Sequence, residues 1–279
     1  MSTKSLSMCR GCQFSSLMVK AAVAGTASAV LGMTVSAASA ATVYQDSFGS
    51  NSTLGTLNGR IPTVDNGPSA TWTASPYFAD SGYTSTAGDD VRPNAYLSFT
   101  PVGGQIYTLS AGLNVTGNGG GANQNSDYWM ALGFMTTSAT EGSWGWDSGS
   151  VTASPWVSSA FDGSGGSVFT GPNTGGGQSF TNTAGVNTIS IVLNTGSSAW
   201  TYQVYLTNSS VSNLLVGSSA SGPFTSNPAI TAVGIENGAG IGQVSNFSLT
   251  DVAVPEPATL GLVAAGGLGL LLLKRRKAV

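Results

Sequence analysis

Apolar side chains recur at every second position through the middle of this chain, and no segment between Thr42 and Asp251 carries a helical period. Tyr107, Leu109, Ala111, Leu113 and Val115 share one face of an expected strand. Tyr128, Met130, Leu132 and Phe134 share another, and Trp200, Tyr202, Val204 and Leu206 a third. Ile189, Ile191 and Leu193 repeat the pattern in a β-branched run. Shorter candidates are Val43 to Phe48, Ala95 to Thr100, Val211 to Gly217, Ile230 to Ile235 and Val244 to Thr250. Successive strand side chains point to opposite faces, so each such segment buries one face and leaves the other to water. Turn formers such as Asn66-Gly67-Pro68, Val102-Gly103-Gly104 and Asn194-Thr195-Gly196 separate them. Nine or more strands without helices predict an all-β fold, an antiparallel β-sandwich over residues 42–251. No fixed internal period emerges, which argues against a solenoid.

A chain with 39 glycines and only 8% charged residues could stay unfolded. Six Trp, eight Tyr and ten Phe argue otherwise. Each large buried side chain contributes about 1–3 kcal/mol, enough to offset chain entropy over a domain of this length. Both cysteines, Cys9 and Cys12, lie near the N-terminus, so the middle must fold on its core without a disulfide.

The formal charge of −3 hides an asymmetry. Between Thr42 and Asp251 two arginines, Arg60 and Arg92, stand against eleven acids, a net of −9, and lysine is absent. A surface so poor in cations cannot neutralise phosphates, which excludes nucleic acid as a partner. The chain has no His, and the middle no Cys, so a Ser-His-Asp triad, a thiol nucleophile and a zinc cluster are all ruled out there. A glycosidase needs only two carboxylates, but the middle offers just Glu141 and Glu236, far apart in sequence. A non-enzymatic protein is expected, with a glycoside hydrolase or lyase as the weaker alternative.

The two ends read as addresses. Lys4, Arg10 and Lys20 precede an uncharged stretch from Ala21 to Val35, followed by Ala38-Ser39-Ala40. A basic region, a short apolar region and a small-residue site predict a signal peptide over residues 1–40, cut by signal peptidase. An uncleaved signal anchor is the alternative. At the other end, Val254-Pro255-Glu256-Pro257 is followed by uncharged Ala258 to Leu273 and then Lys274-Arg275-Arg276-Lys277. Sixteen helical residues span about 24 Å, slightly short of a ~30 Å hydrocarbon core, and the flanking cations can snorkel. A transmembrane helix over 258–273 is expected, with the basic cluster cytoplasmic and the middle domain outside. Pro255 and Pro257 hold the entry extended, in a form that an enzyme can bind.

This order of Pro-Glu-Pro motif, apolar segment and basic finish over 254–277 resembles the PEP-CTERM sorting signal of Gram-negative bacteria. The resemblance implies recognition by exosortase, an integral-membrane cysteine transpeptidase-like enzyme thought to cut near the motif. It also implies a final location at the cell surface or in the extracellular matrix, in the setting of exopolysaccharide and biofilm. A plain single-pass anchor is the bland alternative.

The first strand, Tyr44 to Phe48, and the last, Val244 to Leu249, read as a terminal pair. That layout resembles concanavalin A-like and laminin-G-like jelly rolls. Between Gly142 and Gly177, Gly-Ser segments surround Trp144, Trp146, Asp147 and Trp156. Aromatic faces stack on a pyranose while a carboxylate takes its hydroxyls, so these four residues are the candidate glycan-binding patch. The competing reading has the tryptophans cover one end of the core. Asp89, Asp90 and Asp127 are the candidate ligands for a structural calcium, against the simpler reading of a solvated turn. No other cofactor is expected.

Overall fold

The computed structural model describes residues 39–67, 70–85, 93–117, 129–135, 156–160, 166–169, 178–181, 183, 185–218, 224, 227–238 and 240–254. Among the described residues there are fifteen strands and no helix. The first five are β1 (Ala41–Asp46), β2 (Val64–Asp65), β3 (Thr73–Ala74), β4 (Tyr83–Ser85) and β5 (Asn94–Ser98). Then come β6 (Gln105–Gly117), β7 (Trp129–Met135), β8 (Trp156–Ala160), β9 (Gly166–Phe169) and β10 (Gln178–Phe180). The last five are β11 (Asn187–Asn194), β12 (Thr201–Thr207), β13 (Leu214–Ser218), β14 (Ala232–Asn237) and β15 (Ile241–Ala253).

They form two antiparallel sheets. One runs β13-β12-β11-β6-β15-β1-β2, with β4 also on β15, and the other runs β10-β9-β8-β7-β14-β5-β3. The first and last strands pair as the sequence predicts, Thr42 opposite Thr250 and Gln45 opposite Ser248. Long β15 is therefore an interior strand, with β6 on one side and β1 on the other.

The alternation that predicts strands also predicts the core. Leu109, Leu113, Ile191, Val204 and Phe247 of the first sheet join Leu97, Met130, Leu132, Phe134, Val233 and Ile235 of the second in one buried cluster. In β11 the burial alternates at every residue. β7 and β14 differ: all their residues are buried, so both of their faces are covered. One break in period two is visible in β15, where Val244 and Phe247 both point into the core although three residues apart. A bulge between Ser245 and Ser248 absorbs the extra residue, and Asn246 takes φ 52° there. Asn tolerates the left-handed region better than most side chains, which suits it to this position.

Within the Gly142–Gly177 stretch the described residues 156–160 and 166–169 form β8 and β9, with β8 paired to β7 and β9 to β8, so Trp156 opens a strand and stands in register with Gly133.

Candidate functional site

Two features meet at one end of the sandwich, where the turn between β5 and β6 lies beside the end of β15. The first is the junction with the tail. β15 pairs with β6 as far as Ala253 opposite Gln105, and the Val254 amide then donates to the Gly104 carbonyl at 2.9 Å. Gly104 has φ +81°, a conformation that glycine adopts without strain. Its own amide donates to the Thr195 carbonyl at 2.9 Å, and the Thr195 amide donates to Gln105 at 2.8 Å. The Thr195 hydroxyl accepts from the Gln105 amide at 3.0 Å and lies 2.7 Å from the Val102 carbonyl and 2.9 Å from that of Gln105. With Thr195 buried, three segments are locked together: the Val102–Gln105 turn, the Asn194–Gly196 turn and the last residue before the Pro-Glu-Pro motif. Gly196 lies flat against Val254, and a Cβ there would come within 2.9 Å of its side chain.

The second feature is a groove of about 480 Å³ beside this junction. Asn66, Ser98, Thr100, Thr231 and Asp251 supply its polar lining, with Val43, Phe99 and Tyr107 beneath. Phe99 and Tyr107 meet edge to face with centroids 5.0 Å apart, and only 5% and 3% of their surfaces are exposed. Their rings therefore build the floor and offer little face for stacking. The Val102 amide donates to the Tyr107 hydroxyl at 2.9 Å, tying the groove to the junction turn. Burial raises the Tyr107 pKa, the Asp251 carboxylate raises it further, and the Val102 hydrogen bond opposes both. The groove can hold a small polar molecule by hydroxyls, one amide and one carboxylate.

Of the residues singled out in the sequence, Val254 is in the junction and Trp156 is in β8. Trp144, Trp146, Asp147, Asp89, Asp90, Asp127, Pro255, Glu256, Pro257 and Lys274 to Lys277 lie outside the described residues, as do Glu141, the signal segment to residue 38 and the segment 258–273. Among the described residues no helix is long and apolar enough to cross a membrane, and no cluster of three or more metal-ligating side chains occurs. Glu236 is fully buried in β14. Sequence reasoning missed the groove. Asp251 continues the inward face of Leu249, a visible signal, but Asn66 and Thr231 reach the site only through tertiary pairing.

Solved structures similar to this chain include the carbohydrate recognition domain of Emp46p in its metal-free form, at 11% identity and TM-score 0.43, covering 70% of this chain and 94% of that one. The UEA-II lectin complexed with galactose shows 10% identity and TM-score 0.42, covering 78% and 100%. The Bauhinia forficata lectin in complex with GalNAc shows 9% identity and TM-score 0.39, covering 67% and 100%. No curated protein sequence matches the chain. Residues 253–277 do match a known sorting signal, and the chain therefore carries a PEP-CTERM protein-sorting motif that begins where its last strand ends.

Proposed function

We propose that this is an exported protein routed by its PEP-CTERM tail through exosortase. Residues 258–273 hold it in the membrane until the tail is removed, and the β-sandwich then serves at the cell surface or in the matrix as a non-enzymatic component associated with exopolysaccharide. The match at 253–277 carries this reading, together with its position directly after β15. Four cations at 274–277 favour a cytoplasmic end, which leaves the sandwich outside. Replacing Pro255, Glu256 and Pro257 together with alanine is expected to leave uncut protein in the membrane fraction. An unchanged released fraction overturns the reading.

The groove favours a second reading, in which the sandwich binds carbohydrate and so retains the protein in polysaccharide. A saccharide hydroxyl is both donor and acceptor, and the Asp251 carboxylate with Asn66, Thr100 and Thr231 offers partners of both kinds. The Trp144, Trp146, Asp147 and Trp156 patch would add stacking to the same task. Retardation of the released protein in gels cast with the cell's own extracted exopolysaccharide tests this reading, and unretarded migration removes it.

A further inference from the structure

The outer face of the first sheet carries uncharged side chains that stand in register from strand to strand. Gln45, Ser248, Ser110, Ser190 and Tyr205 make one row across β1, β15, β6, β11 and β12. Thr42, Thr250, Thr108, Val192 and Gln203 make the next, and Val252, Ile106, Asn194 and Thr201 a third. None of these residues is buried and none is charged. Strands lie about 4.8 Å apart, and same-face neighbours along a strand about 6.6 Å, so the rows form a regular grid of hydroxyls and amides. Within it the Ser110 and Ser190 hydroxyls are 2.9 Å apart, and the Tyr205 hydroxyl donates to Gln203 Oε1 at 3.1 Å. Where the second and third rows meet, Ile106, Val192, Asn194, Thr201, Tyr202 and Gln203 border a depression of about 200 Å³.

The chemistry of this face selects its partner. A protein interface has an apolar centre, yet of the strongly exposed large apolar residues only Leu215 joins a row, at its β13 margin. A polyanion needs cations, and the rows have none. An extended neutral polysaccharide has hydroxyls along its edges and apolar C–H faces on its rings. Ser and Thr hydroxyls both donate and accept, and these short side chains lose little rotamer freedom on binding. We propose that the outer face of the first sheet is a second carbohydrate-contact surface, which takes a neutral polysaccharide with one ring seated against Ile106 and Val192. It rests on the carbohydrate reading above for its ligand class, and it is separate from the groove. Tyr107 and Asp251 each alternate with Thr108 and Thr250 and so point to the other side of the sheet.

The test is native electrophoresis of the full chain in a nonionic detergent. The gels are cast with exopolysaccharide from the producing cells, split by anion exchange into neutral and acidic fractions. The neutral fraction is expected to retard the chain, and added salt to leave the retardation unchanged. Val192→Arg fills the depression and Gln203→Ala shortens its wall; each is expected to weaken retardation about five- to tenfold with an unaltered thermal midpoint. Unchanged retardation in both variants overturns the outer-face site, and if Asp251→Asn weakens it the groove reading stands. Retardation by the acidic fraction alone also overturns the site while sparing carbohydrate binding. Retardation by neither fraction overturns both.

Discussion

The indole N–H of Trp72 donates to the Asp46 carboxylate at 2.6 Å, with both residues buried inside the sandwich. The same carboxylate accepts from the Phe48 amide at 2.8 Å and forms an ion pair with Arg60, whose guanidinium also sits 2.7 Å from Asp80 and over the Phe48 ring. Among the described residues Arg60 is the only lysine or arginine. A buried carboxylate is tolerated because its partners are in place, and removing one strands the charge. Arg60→Met is expected to cost about 3 kcal/mol, the low end for a buried pair because the Arg60 side chain is 23% exposed. Trp72→Phe removes a charge-assisted hydrogen bond and should cost about 1.5–3 kcal/mol. Urea unfolding midpoints measure both, and an unshifted midpoint for either variant contradicts the account.

Alkaline pH should destabilise the sandwich through Tyr44. Burial, and then the Asp65 carboxylate, push its pKa from 10.0 to about 12, and its hydroxyl donates to the Ser98 carbonyl at 2.8 Å. The folded value lies above the unfolded one, so this contribution is complete below about pH 10 and is lost as pH rises toward 12. The difference between 10.0 and about 12 corresponds to about 3 kcal/mol. Tyr44→Phe is expected to be less stable at neutral pH and to lose less stability between pH 10 and 12. Equal slopes for the two proteins would argue against this assignment.

Thr195→Val keeps the shape of a buried side chain and removes its hydroxyl. The Gln105 amide and the Val102 carbonyl then lose a partner, at a cost of about 1–3 kcal/mol. The effect should be local as well as global. Amide hydrogen exchange at Gly104 and Val254 is expected to accelerate more than at Leu109 or Ile191 in the core. Uniform acceleration along β6 and β15 would show that the three-segment lock has no separate existence.

The parts of this fold that were legible in sequence are those whose signal is local. β6, β11 and β12 alternate apolar and polar residues, and their faces are the ones the pattern predicts. β7 was legible only as a strand. Its run Trp129–Met135 is apolar throughout, and assigning one inward face to Met130, Leu132 and Phe134 left the burial of Ala131 and Met135 unaccounted for. β2, β3 and β4 are two or three residues long, too short to show a period. β8 and β9 were hidden because pairing, of β8 with β7 and of β9 with β8, sets their register and no local pattern does. The Asp46 site joins residues 14 and 26 positions apart, and the groove draws on segments from Val43 to Asp251, so neither has a motif to read. The tail is the opposite case. Its information is carried by the order of residues along the chain, so the match at 253–277 required no fold.

The groove reading makes its sharpest prediction at Asp251. Burial is the main cause of the raised Tyr107 pKa, and the Asp251 carboxylate adds to it by less than the Val102 hydrogen bond takes away. Asp251→Asn removes the charge with little change of shape, so the Tyr107 pKa should fall while burial still holds it above its ordinary value. Near-ultraviolet difference titration reads the change, and the Tyr107→Phe protein identifies which transition belongs to this residue. Since the folded value drops toward the unfolded one, the stability lost above about pH 10 through Tyr107 should also shrink. The same substitution takes away the one carboxylate that can accept from a sugar hydroxyl in the groove. Retardation by exopolysaccharide should therefore weaken in the variant while the thermal midpoint at neutral pH holds. A lowered Tyr107 pKa with unchanged retardation would keep the electrostatics and move carbohydrate binding away from this end of the sandwich.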